Sequence, residues 1–138
     1  MKQNKFWLKL IGTAIILHIA LILISILEVV IYSYLIVPGK GKEFYNEHAT
    51  VSGPWVSAIF GSLFMFLLVK RFIKRFSQQR LTYAIGLLAV YMVIDLILLF
   101  ISGYEFGDWA SHFLLASAAK IIAALLAYFI YSSKYKPA

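Results

Sequence analysis

Four titratable side chains stand inside stretches that are otherwise almost wholly apolar: His18, Glu28, Asp95 and Lys120. Lys120 is the most demanding, centred in "ASAAKIIAALL" about ten residues from either end of its apolar segment. At 1.5 Å of helix rise per residue its Cα is roughly 15 Å from both surfaces, further than a lysine stem reaches by snorkelling. A charge at such depth costs about 2.5–3.5 kcal/mol on insertion scales, so the ammonium needs a carboxylate. Ala116, Ser117, Ala123 and Ala124 lie one turn away on its own face and let another helix approach closely. Asp95 and Glu28 are the candidate partners. Asp95 is preferred because the connection at 103–109 is short enough to make its helix a neighbour. Such a pair binds or gates a solute or ion, or it only fixes which helices pack together.

A second pattern runs along the first apolar segment. At 100° per residue His18, Ser25, Glu28 and Tyr32 fall within an arc of about 80°. Ala14 lies on the same stripe, and the rest of this helix from 10 to 31 is apolar or small. A polar stripe on a hydrophobic helix points into a bundle or a wet cavity, and Glu, Ser and His in series form a proton route, since imidazole titrates near neutrality. Towards the other polar ends, Asp108 and His112 are four residues apart, and Glu47 and His48 approach from a separate loop. These four are the candidate metal ligands. Zinc requires three or four such groups converging at about 2 Å, and the alternative is a solvated surface. No particular cofactor is implied. Cysteine is absent, which removes thiolate chemistry. No nucleophile motif, paired-carboxylate motif or phosphate loop is present. A hydrolase assembled from His48, His112 and Glu105 is the least supported reading.

These side chains must be positioned by a membrane-embedded scaffold. Hydrophobic residues make up 62% of the 138 and mean hydropathy is +0.86, whereas soluble domains are nearer half apolar. Four apolar segments, about 8–37, 54–72, 81–102 and 110–131, each meet or exceed the ~20 residues needed to cross hydrocarbon. Spanning segments must satisfy their own backbone hydrogen bonds, which makes these helices. The expected fold is all-α, a single-domain, four-helix transmembrane bundle in antiparallel up-down order. Lys2, Lys5 and Lys9 before an apolar run imitate a signal peptide, but the run is too long and lacks a cleavage site, so the first span is read as uncleaved. Gly53-Pro54 suits a helix start after an outer loop at 38–53. Asp108 suits the cap of the fourth helix after a short outer loop at 103–109. Gly53, Ser57 and Gly61, spaced by four, mark a close helix contact within the bundle or between protomers.

Ten of the thirteen Lys/Arg lie at the N-terminus, at 70–80 or in the tail, where no acid occurs. Positive charge marks the cytoplasmic side, so both termini and a basic loop at 70–80 are assigned there, in the cytoplasmic (bacterial inner) membrane. The net charge of +7 is thus a topology signal. Its expected partners are the bilayer, anionic lipid headgroups at the cytoplasmic face and a second copy of the chain; nucleic acid is not one. The expected function is a small carrier or channel. Glu28 and His18 would handle protons or cations, Asp95 and Lys120 would bind or gate, and Ser25 and Tyr32 would line the path. The alternative is an accessory membrane subunit whose ion pair only fixes packing.

Overall fold

The computed structural model describes residues 2–76, 78–103 and 106–135. It is 92% helical, with no strand among those residues. Helix α1 spans Lys2–Ile31 and continues as a π turn over Tyr32–Ile36. It ends at Val37, before Pro38, which has no N–H to extend it, and Gly39, whose φ of 82° only glycine adopts freely. Helix α2 spans Lys42–Arg75, α3 Arg80–Ser102 and α4 Phe106–Lys134. Helix α3 stops on Gly103 in the left-handed region, a common helix terminator. All four helices are long and apolar enough to cross a membrane.

Three boundaries differ from the sequence expectation. Helix α2 begins at Lys42, twelve residues before Pro54, so most of 38–53 is helix rather than loop. An interior proline gives up the bond to the carbonyl four residues back, here that of Thr50. The helix keeps its other bonds, and Glu43 complements the positive end of the dipole. The extension is also tied down by Tyr45, whose hydroxyl donates to the Val37 carbonyl at 2.8 Å and accepts from the Lys40 N–H at 3.0 Å. At the other end, Lys70, Arg71, Lys74 and Arg75 belong to the last turns of α2 and not to a loop. Cations there face the negative end of the dipole. Helix α4 likewise starts at Phe106, which puts Asp108 inside the first turn instead of at the cap; its side chain lies outside the described residues.

The core draws on all four helices, with Leu10 and Leu17, Met65 and Val69, Leu87 and Tyr91, and Ala124 and Ala127 at its centre. Small residues decide which helices approach closest. Helix α4 presents Ala116, Ala123, Ala124 and Ala127, all buried, and packs chiefly against α2, touching α3 less. The α3–α4 neighbourhood expected from the short connection is therefore real but secondary. Tyr83 is buried at 5% exposure among Phe6, Phe72 and Phe76. Outward faces are apolar: Ile16, Phe100, Ile101 and Phe129 are 67–77% exposed. A surface of this kind is not what water selects.

Candidate functional site

Lys120 has no exposed surface at all. Its stem crosses α2 at Gly61, where a Cβ would lie 2.6 Å from the Lys120 Cε, so only glycine leaves that passage open. The ammonium then donates to Ser57 Oγ at 2.9 Å, sits 4.8 Å from the centroid of the Tyr91 ring, and is 3.8 Å from Asp95 Oδ2. A hydroxyl, an aromatic face and a carboxylate together offset the desolvation of the charge. Asp95 is the partner the sequence favoured, and Glu28 is not involved.

The other oxygen of the same carboxylate faces a second base. Asp95 Oδ1 is 3.6 Å from His18 Nε2. His18 stacks on Tyr91, with centroids 4.1 Å apart and planes at 19°. Its Nδ1 is 2.8 Å from the Ala14 carbonyl, and because a carbonyl only accepts, Nδ1 carries the hydrogen. Nε2 is then either a lone pair or the second N–H of an imidazolium. It is buried and has no hydrogen-bond partner. Asp95 is thus shared between an ammonium on α4 and an imidazole on α1, and both separations exceed hydrogen-bond length. Two clefts border the carboxylate: one of about 290 Å³ lined by Gly53, Pro54, Ser57, Leu99, His112 and Ala116, the other of about 210 Å³ lined by His18, Ser25, Ser57, Tyr91 and Leu98.

Glu28 belongs to a separate cluster. Its Oε1 is 2.7 Å from His48 Nε2, and its Oε2 accepts from the Ser52 hydroxyl at 2.9 Å. The His48 ring lies flat on Tyr32, with centroids 3.5 Å apart and planes at 2°. The arrangement holds a serine, a histidine and an acid, but both hydrogen bonds end on the carboxylate. The histidine does not reach the serine, so no nucleophile is activated as in a hydrolase triad. The stripe on α1 is therefore divided. His18 and Ser25 border the smaller cleft, while Glu28 and Tyr32 are held by the extension of α2. Replacing Glu28 by Gln is expected to cost about 1.5–3 kcal/mol, the worth of a hydrogen bond to a charged group, and to cost little once His48 is already Gln. Unfolding curves of the four variants in detergent measure that coupling.

Among the described residues no three of His, Asp and Glu gather as metal ligands do. His48 is engaged by Glu28, Glu47 lies exposed and His112 borders the larger cleft. The side chains of Asp108 and Glu105 are outside the described residues.

The chain matches no protein-family model, no characterised protein and no solved structure. Its chemistry is carried by geometry alone. Three participants had no chemical role in the sequence reading: Ser57, visible there only as a small packing residue, and Ser52 and Tyr91. The i, i+4 spacing of His48 and Ser52 is the signal that points to one shared partner once 42–53 is taken as helix.

Proposed function

We propose that the protein is an integral membrane carrier or channel for a small solute or ion, with Asp95 as its switching group. The scaffold we infer is an up-down bundle with both termini cytoplasmic, in the inner membrane. Supporting the up-down order, Phe6 of α1 meets Tyr83 at the start of α3, Lys9 lies over Phe76 just past α2, and Arg80 Nη1 donates to the Ser132 carbonyl near the end of α4 at 2.7 Å. The basic residues gathered there support the assignment of that end to the cytoplasm. A second copy would enclose clefts that a single chain leaves open.

The observation that carries the reading is the single carboxylate between the Lys120 ammonium and the His18 imidazole, bordered by two clefts. Asp95 can pair with Lys120 or with protonated His18, and the two partners lie on different helices. A cation entering the cleft competes with Lys120 for Asp95; an anion competes with Asp95 for Lys120. Either exchange shifts α1 and α4 relative to α3, the differential contact that alternation between two states requires. Proteoliposomes containing a pH-sensitive dye, tested under proton, sodium, potassium, chloride, phosphate and small-amine gradients, check this. Asp95→Asn and Lys120→Met are each expected to cut the wild-type flux at least tenfold while the protein stays inserted and monodisperse. Undiminished flux in both would overturn the proposal.

One observation favours a second reading, that of an accessory subunit. The Lys120 side chain is completely enclosed and already hydrogen-bonded, as a purely positional ion pair would be. On that reading Asp95→Asn combined with Lys120→Met restores wild-type folding, and neither wild type nor variant moves any of these solutes.

A further inference from the structure

At the basic end of the bundle a groove of about 480 Å³ lies between α1 and α2. Its mouth is formed by Lys9, Arg71 and Arg75, all exposed. Its walls are apolar, with Thr13, Leu17 and Ala20 facing Phe64, Leu68 and Phe72. From Lys9 to Ala20, and equally from Arg75 to Phe64, the groove follows eleven residues of helix. That is about 16 Å, half the roughly 30 Å of a hydrocarbon core. The cations have no carboxylate at hand: the nearest acids in sequence are Glu28, Glu47 and Asp95. The ion pairs among the described residues lie elsewhere. Lys9 and Arg75 both approach the ring of Phe76, at 5.0 and 5.7 Å from its centroid, so an aromatic ring rather than an acid is the partner shown for each.

We propose that this groove binds one anionic phospholipid, the phosphate held by Lys9, Arg71 and Arg75 and one acyl chain lying between α1 and α2. Charge complementarity selects an anion, and a wall that turns apolar and runs one leaflet deep selects an anion carrying a hydrocarbon tail. A soluble phosphate uses only the mouth. A second copy of the chain would have to offer acids at a depth where the sequence has none, since no Asp or Glu occurs in the basic regions that lie at this end. The site does not depend on the transport reading, because it lies at the end of the bundle away from Asp95 and Glu28.

The test is native mass spectrometry of the full chain in detergent, titrated with dioleoyl phosphatidylglycerol and, separately, dioleoyl phosphatidylcholine. One phosphatidylglycerol is expected to bind at least tenfold more tightly than the zwitterionic lipid. Arg71→Gln with Arg75→Gln is expected to lose that preference, whereas Lys74→Gln with Lys134→Gln, which removes the same charge outside the groove, is expected to keep it. Thr13→Trp with Ala20→Phe fills the groove, leaves the cations in place and is also expected to lose the bound lipid. Equal losses from both charge pairs would overturn the proposal in favour of diffuse attraction. Full retention by the filled groove, or displacement of the lipid by an equal concentration of glycerol phosphate, would overturn it in favour of a headgroup site alone. A shift from dimer to monomer on filling, with lipid binding intact, would assign the groove to a second copy.

Discussion

Asp95→Asn is expected to lower the stability of the folded chain by about 3–5 kcal/mol, and adding Lys120→Met is expected to return most of that loss. The asymmetry follows from what each change leaves behind. An amide at 95 keeps the shape of the side chain but removes its charge, and Lys120 retains only Ser57 Oγ at 2.9 Å and the Tyr91 face at 4.8 Å. The ammonium cannot escape to water, because it is fully buried and its stem is confined beside Gly61. Removing the ammonium as well ends the need for a counter-charge, and methionine fills a similar unbranched volume. Lys120→Met alone is expected to be milder than Asp95→Asn, since Asp95 is 22% exposed and still faces His18. Unfolding of purified protein in mild detergent gives the four stabilities of the cycle. Additive single changes would show that the 3.8 Å pair is not energetically coupled.

Lys120 and Asp95 were legible in the sequence because the membrane makes a buried charge so costly that a partner is compulsory. The pairing with Asp95 rather than Glu28 followed from one short connection. What was hidden was the competition for each acid. His18 and Glu28 share a face of α1, and nothing in that face alone shows that Asp95 takes the first and His48 the second. The segment 42–53, "KEFYNEHATVSG", conceals this, being polar enough to read as a loop and standing before a proline that reads as a start. Once it is helical, His48 and Ser52 sit one turn apart and meet Glu28. The same extension shows that Gly53, Ser57 and Gly61 continue a line of positions four apart through Met65, Val69 and Ile73, all three of which are buried. The small-residue stripe was legible as a contact. That it makes room for a lysine was not, because spacing records only the missing side chains and not what fills their place.

Gly61→Val is the change expected to do most damage without touching a charged residue. Even the first added atom would lie 2.6 Å from Lys120 Cε and 3.5 Å from Leu21 Cδ1, and valine brings two more methyl groups. A flexible side chain elsewhere could swing away, but this one has no exposed surface and is tethered to Ser57. Either the ammonium leaves its hydroxyl and carboxylate, or α2 and α4 separate along their main contact. Overpacking of this kind costs about 1–3 kcal/mol, and loss of a hydrogen bond to a charge adds about 1.5–3, so a loss of at least 2.5 kcal/mol is expected, together with loss of the proposed flux. Gly61→Ala is expected to fall between valine and wild type. Gly12→Ala is the control, because a Cβ there meets nothing within 4 Å and helix propensity alone predicts no loss. The decisive variant combines Gly61→Val with Lys120→Ala, which vacates the space the valine needs. Recovery of stability without recovery of flux would assign Gly61 its role through the lysine; no recovery would mean that glycine serves the α2–α4 backbone approach and that the lysine merely lies beside it.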